Sequence, residues 1–256
     1  MKDILEVNNL NKSYSLNKSE EQAVLRNIDL RIPEGQFVSV MGASGSGKST
    51  LLYTISGMDR MTSGQVRFDQ EDISSLPDKT LAALRRNKMG FIFQQIHLLK
   101  NLTLLDNIVL SEYLAGRESR KAINRRAREL MSEMGIAELE DRDVTQASGG
   151  QLQRVGICRA LMNRPKMIFG DEPTGALNSK ATSEIMALLG RINRSGTTIL
   201  LVTHDVKVAA RTERVLLMED GRIVGEQHLG KYEQDRNDDA KLREEKLSSW
   251  LLQMGV

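Results

Sequence analysis

The 256-residue chain has a single cysteine, Cys158, so no disulfide can form within it. One thiol fits a reducing compartment, and its place in an apolar helical run makes it a packing residue. Neither sign of charge dominates, since 36 basic against 34 acidic residues leave a formal charge of +2. That lacks the basic footprint of a nucleic-acid binder, and no nucleic-acid partner is expected. No apolar run is long enough to span a membrane. Met1-Lys2-Asp3-Ile4 opens without the apolar core of a signal peptide. Together these absences lead to the expectation of a soluble cytosolic protein, long enough for one large domain or a domain with a subdomain.

What is present centres on residues 42 to 50: Gly42-Ala43-Ser44-Gly45-Ser46-Gly47-Lys48-Ser49-Thr50. This fits the phosphate-binding pattern G-x-x-x-x-G-K-[ST]. The apolar, β-prone Gln36–Met41 precedes it, and Thr50–Ile55 can open a helix. The context is therefore strand, glycine turn, helix. The glycines let backbone N–H groups turn inward around anionic oxygens, and the helix N-terminus adds a positive dipole end. Lys48 can reach terminal phosphates, and the Ser49 hydroxyl can hold Mg²⁺. Without those flanks the stretch would read as a plain glycine turn.

Ahead of this loop, Ile4–Val7, Ala23–Leu25 and Ile28–Ile32 alternate as strands, with a hairpin loop expected over Asn17–Glu21 and a turn at Pro33-Glu34-Gly35. Beyond it the spacing predicts a turn at Thr62-Ser63-Gly64, a strand over 65–69, a short helix over 81–86 and a strand over 89–93. Residues 95 to about 160 change character and are helix-prone. From Ser119 to Met134 the apolar Ala122, Ile123, Ala127, Leu130, Met131 and Met134 form a helical stripe. Arg120, Lys121, Arg125 and Arg128 lie largely off it, as a solvated face or a contact for acidic lipid or a partner. Strands return over 166–171, 197–203 and 214–218, with a helix over 180–193. Strand–helix alternation argues for a mainly parallel sheet. Asp220-Gly221 marks a hairpin into Ile223-Val224. The tail from Gln234 is highly charged and ends in Leu247, Trp250, Leu251 and Met254, which share a helical face.

Two further constellations carry chemistry. Asp171-Glu172 follows the apolar strand 167–170, and carboxylates at such strand ends sit where open parallel sheets bind ligands. Asp171 can hold Mg²⁺, and Glu172 can orient or deprotonate an attacking water. Alone, such a pair would read as an exposed turn. Ser148-Gly149-Gly150-Gln151 opens the helix that continues Leu152-Gln153-Arg154, forming a second anion nest. One nucleotide needs only one such loop, so the second suggests a partner's nucleotide.

Ser148–Gln151 with its glutamine-arginine helix resembles the signature sequence of ABC-type ATPases. The resemblance runs from Ile4 to about Val224, with the family's blocks in order. By that resemblance, Tyr14 is the aromatic that stacks on adenine and Gly42 to Ser49 is the Walker A motif. Gln94 is the hinge glutamine that contacts Mg²⁺ and water. Asp171 and Glu172 are the Walker B aspartate and the catalytic carboxylate. Residues 176–179, with Asn178, are the loop crossing a dimer interface, and His204 is the switch histidine for the γ-phosphate. Two positions depart from the pattern: Ala147 stands where leucine usually opens the signature, and Asn178 where the crossing loop usually has aspartate. Asparagine keeps the hydrogen bonding and loses a charge. The run 175–179 resembles the bacterial branch serving lipoprotein-release, macrolide-export and bacitracin-type peptide-resistance permeases.

The resemblance implies an α/β fold: a P-loop NTPase core with a mainly parallel sheet, an N-terminal antiparallel β subdomain and an inserted helical subdomain at about 95–160. The ATPase domain is expected over 1–230, and a charged, amphipathic extension over 231–256. It also implies ATP and Mg²⁺ as ligands, a second copy pairing head to tail, and a membrane permease that would hold the protein at the cytoplasmic face. Residues 96–99 and 102–114, apolar for a connecting region, are the expected permease contact. ATPases acting on DNA or the ribosome are the rival class. Near-zero net charge, a single ATPase domain and the lack of sustained heptads stand against it.

Overall fold

The computed structural model describes residues 2–17, 20–232 and 239–255. A six-stranded sheet has the order β10–β9–β3–β8–β7–β6, from β3 (Phe37–Met41), β6 (Met89–Phe93), β7 (Met167–Asp171), β8 (Thr198–Val202), β9 (Arg214–Glu219) and β10 (Arg222–His228). All neighbours are parallel except β10, which folds back on β9. β3 and β8 are buried throughout, as strands covered on both faces must be. Register decides where the site forms. Val40 pairs with Val202, and Val202 with Asp171. The three central strands therefore end level, and Gly42, Glu172 and His204 leave the sheet at one edge.

A four-stranded antiparallel sheet, β2–β1–β4–β5, packs against this core and takes two strands before β3 and two after it: β1 (Asp3–Asn17), β2 (Glu20–Pro33), β4 (Ser63–Phe68) and β5 (Glu71–Asp72). β1 and β2 outrun the expected segments. Register shifts between Val7 and Leu10, and left-handed Asn9 and Asn27, break the alternation that a sequence reading needs. The expected hairpin loop shrinks accordingly, and its Lys18 and Ser19 lie outside the described residues. The turn expected at Thr62–Gly64 is also displaced. The chain turns at 56–59, and Ser63 and Gly64 already belong to β4. Gly64 (φ +106°) lets the strands approach, because a Cβ there would lie 2.5 Å from the Asn9 carbonyl oxygen.

The helices are α1 (Lys48–Ile55), α2 (Asp78–Lys88), α3 (Leu104–Ala115), α4 (Arg120–Glu133), α5 (Gly149–Leu161), α6 (Ser179–Arg194), α7 (Val206–Ala209) and α8 (Asp239–Gln253). In sequence α3, α4 and α5 fall between β6 and β7, and they pack on one another. Ser119 caps α4, whose Ile123, Ala127, Leu130 and Met131 are buried as the stripe requires. Arg125 and Arg128 pair with Glu129 and Glu140 instead of forming a bare cationic face. Cys158 is buried, and burial pushes its thiol up to about 12, consistent with packing. Among the described residues no helix is long and apolar enough to cross a membrane.

The C-terminal face docks on its own body. Leu247 and Leu251 join Met41, Ala209, Ala210, Val215 and Leu217 in a small third core, with Trp250 packed against it. Met254 stays partly exposed at the edge. The residues between 233 and 238, the start of the charged tail, lie outside the described residues.

Candidate functional site

β3 delivers the chain into the glycine loop, and α1 takes it away. Gly42, Gly45 and Gly47 have φ of +149°, +83° and +98°. A Cβ on Gly42 would lie 2.2 Å from the Met218 carbonyl oxygen, so glycine is obligatory there. The loop opens onto a cavity of about 780 Å³ lined by Val24, residues 42–45 and 47–50, Glu172 and His204. Ser46 is the exception in the loop. Its side chain is buried, its Oγ lacks a hydrogen-bond partner, and it does not line the cavity. Its carbonyl instead accepts from the Gly221 N–H at 3.1 Å, so the tip of the β9–β10 hairpin braces the loop from behind.

Lys48 Nζ donates to the carbonyls of Gly42 and Ala43 at 2.9 and 2.7 Å. Burial pushes this ammonium down, while the charges of Glu172 and Asp171 oppose that shift. Ser49 Oγ donates to Asp171 Oδ1 at 3.0 Å, joining the loop to the end of β7. Tyr53 OH donates to Asp171 Oδ2 at 2.6 Å, which the sequence reading missed. Its burial, together with that bond and charge, raises the phenol. The available signal was spacing: Ser49 and Tyr53 are four apart on α1 and share a face.

Glu172 sits at φ +46°, a strained conformation for a side chain this long. Its N–H donates to the Val202 carbonyl at 3.0 Å, fixing the residue just past the sheet edge. Its Oε1 lies 2.9 Å from Nδ1 of His204, which follows β8 and is otherwise exposed. Gly175 lies close to both Gln94 and Glu172. A Cβ there would be 2.8 Å from Gln94 Nε2 and 3.2 Å from Glu172 Oε2. Gln94, just past β6, does not line the phosphate-loop cavity.

Tyr14 also stands off that cavity's lining. Its OH donates to Asp59 Oδ2 at 2.5 Å, and Lys12 Nζ sits 4.4 Å from the ring centroid. Lys12 completes the cluster by donating to Asp59 Oδ1 at 2.8 Å. The Lys12–Asp59 pair is a second feature the sequence did not disclose.

Ser148, Gly149, Gly150 and Gln151 open α5 through a capping box. Ser148 Oγ accepts from the Gln151 N–H, and Gln151 Oε1 accepts from the Ser148 N–H. Asn178 caps α6, its Oδ1 accepting from the Ala181 N–H at 2.9 Å. Both groups line a separate cavity that holds none of the residues 42–50. Within one chain, then, the two nests face different spaces.

A glycine phosphate loop sharing one cavity with Glu172 and His204 from level strand ends, and bonded through Ser49 to Asp171, defines a P-loop nucleotide-binding protein. Residues 25–175 match the ABC transporter family model, and the chain belongs to that family as an ATP-binding, ATP-hydrolysing transporter subunit. It is 41% identical over 228 residues to the bacitracin export ATP-binding protein BceA of Halalkalibacterium halodurans, covering 89% of both chains. It is 45% identical over 224 residues to the macrolide export ATP-binding/permease protein MacB of Salmonella typhimurium. That match covers 88% of this chain and about a third (34%) of the larger protein. Among solved structures, it resembles the dimeric ATP-binding cassette MJ0796 in a post-hydrolysis state bound to ADP and Pi. The TM-score is 0.82 at 40% identity, over 89% of this chain and 100% of that one.

Proposed function

We propose that two copies of this chain hydrolyse ATP head to tail, driving a separate membrane permease of the antimicrobial-peptide export or resistance type. The carrying observation is the separation of the two nests: residues 42–50 share a cavity with Glu172 and His204, while Ser148–Gln151 face another. A nucleotide on the phosphate loop would meet a signature nest only from a second copy. The dimeric neighbour supports this arrangement, and the bacitracin exporter's name supports the substrate class.

In this reading the loop N–H groups and Lys48 hold the phosphates, Lys48 exchanging its two carbonyl partners for phosphate oxygens. Ser49 and Asp171 offer oxygen donors to Mg²⁺, a set that suits a hard cation held between protein and nucleotide phosphate. When bound, Mg²⁺ would neutralise charge on the transferring phosphoryl group. Gln94 would meet the metal and water on closure. Glu172 takes the proton of the attacking water, and His204 orients Glu172 and faces the γ-phosphate. Thr50 lines the phosphate cavity. Adenine would stack on the Tyr14 face that Lys12 leaves open. Asn178 would meet the partner across the interface. The body is taken as residues 1–230, with 231–256 as an addition. For the permease contact, part of the expected stretch is core, with Leu104, Leu105, Ile108 and Val109 buried. Leu99 (47%), Leu110 (36%) and Leu114 (67%) remain exposed and offer the surface. Binding there would place the protein at the cytoplasmic face of the membrane.

Complementation between two inactive variants tests the shared site. Lys48→Ala disables one loop, and Ser148→Arg disables one nest. A mixed dimer contains one site in which both elements are intact, whereas either homodimer contains none. Neither variant alone should hydrolyse ATP, and the mixture should. If the mixture stays inactive while each variant folds, head-to-tail sharing is wrong.

A further inference from the structure

α8 lies beyond the matched family region, and its docking includes a costly feature. Arg243 is buried at 6% exposure, although α8 already has Leu247 and Leu251 to bury. A buried guanidinium must have its donors satisfied by fixed acceptors. Here Nε donates to the Ala210 carbonyl at 2.6 Å, and Nη2 to those of Thr212 and Gly230 at 2.6 and 3.0 Å. Nη1 donates to the Leu229 carbonyl at 2.9 Å. Two of these four acceptors belong to one short connection, the chain between β8 and β9.

That connection carries His204 at its start. Asp205 then caps α7, and Ala210 and Thr212 follow. The Thr212 hydroxyl lies 2.8 Å from Ser39 Oγ on β3, the strand that feeds the phosphate loop. Arg211 is tied to Ser183 on α6 by bonds of 3.0 and 2.9 Å. The connection is thus pinned at its far end by α8, β3 and α6. His204 itself is largely exposed, and Glu172 is its hydrogen-bonding partner. Its position therefore depends on the backbone that carries it. Glu244, next to Arg243, lines a further cavity that Glu172 and His204 also border. α8 thus reaches the rear of the site.

We propose that Arg243 is a positioning residue for ATP hydrolysis, holding the β8–β9 connection so that His204 meets Glu172. This rests on the ATPase reading above and gives the C-terminal helix a part in it. The guanidinium fork is required, because one ammonium cannot span carbonyls on both the connection and the β10 exit.

The test uses the full chain with Arg243→Lys, and Arg243→Gln as a second variant should the first fold poorly. A misplacement of about 1 Å at a reacting group costs about 10²-fold in rate, so kcat should fall about 10- to 100-fold. KM for ATP should hold, because the phosphate loop is untouched. Leu5→Ala, in the β1–β2–β4 sheet, controls for stability. It should lower the melting temperature while keeping kcat per folded molecule. In a His204→Ala background, measured by single turnover, Arg243→Lys should cost little more, since both changes break one linkage. The inference is overturned if Arg243→Lys keeps wild-type kcat. It is also overturned if kcat falls only with the folded fraction, or if the losses in the double variant simply multiply. A wild-type chain that hydrolyses no ATP would instead sink the functional reading beneath it.

Discussion

Glu172→Gln isolates the proton-accepting step. The amide is nearly isosteric, and its oxygen can keep the 2.9 Å contact to His204 whenever Nδ1 carries the proton. The φ of +46° and the N–H bond to Val202 belong to the backbone and remain. Lys48, Ser49 and Asp171 keep their own partners, so ATP affinity should be unchanged. What disappears is basicity at one position. Removing a general base costs about 10²–10⁴-fold, which is about 2.7–5.4 kcal/mol. Glu172 belongs in the upper half of that range. It is about three-quarters buried, with one oxygen committed to His204, so a solvent water is a poor substitute. Steady-state phosphate release should fall about 10³-fold or more, while equilibrium binding of ATP is preserved. Blocked hydrolysis should also trap an ATP-bound dimer, visible by size exclusion. Wild-type hydrolysis by Glu172→Gln would refute the assignment. A parallel loss of ATP binding would show that the carboxylate serves the loop rather than the water.

Other sites give independent tests. Tyr53→Phe removes the donor to Asp171 Oδ2, a bond to a charged group worth about 1.5–3 kcal/mol. The Mg²⁺ concentration for half-maximal ATPase should rise about tenfold or more, and an unchanged titration would remove Tyr53 from the site. Asp69 is a buried carboxylate accepting from Lys88 and Lys166 at 2.9 and 2.7 Å, with Lys2 at 3.4 Å. Asp69→Asn should cost about 2 kcal/mol at neutral pH, between the values for exposed and buried pairs, because the lysines are half-exposed. Burial alone would raise this carboxyl, but Lys166 and Lys88 outweigh it and hold the group well below the usual range. Its contribution is therefore full above the unfolded value of about 4 and lost as pH falls towards the folded pKa. The gap between the denaturant midpoints of wild type and variant should begin to narrow below about pH 4 and keep closing as pH falls towards the folded pKa, and a gap that does not narrow would contradict the linkage. Leu99→Glu should abolish capture of the membrane partner while basal ATPase survives; unchanged assembly would misplace that contact.

The sequence made the phosphate loop legible because its backbone demands are severe. Positive φ at Gly42, Gly45 and Gly47 can be met cheaply only by glycine, so local chemistry writes itself into the residues. The same holds for caps such as Ser119 and Asn178, whose side chains bond their own helices. What stayed hidden depends on distant partners. The Gly221 brace behind Ser46 requires the β9–β10 hairpin to fold against the loop. The Lys12–Asp59 clamp on Tyr14 links residues 47 positions apart. The length of β1 was obscured by bulges that shift its apolar period. The apolar face of α8 was visible, but not its target. Arg243 was concealed by composition, since an arginine in a charged tail reads as solvated until the carbonyls that bury it are known.

The two departures from the family pattern can now be weighed separately. Ala147 packs against the first large core just before the capping box, where it adds apolar contact. A smaller side chain there changes packing volume and leaves the bonds of Ser148 and Gln151 intact. Asn178 acts through charge. Its Oδ1 caps α6 as an aspartate oxygen would, so the local fold does not distinguish the two residues. Yet Asn178 lines the same cavity as Ser148–Gln151, the nest assigned to a partner's nucleotide. A carboxylate on that wall would face the partner's polyphosphate with like charge, at a distance where like charges repel. The amide keeps the cap and removes the repulsion. On the proposed head-to-tail arrangement, a change that leaves the chain's own hydrogen bonding intact would act on closure of the dimer rather than on folding of the chain.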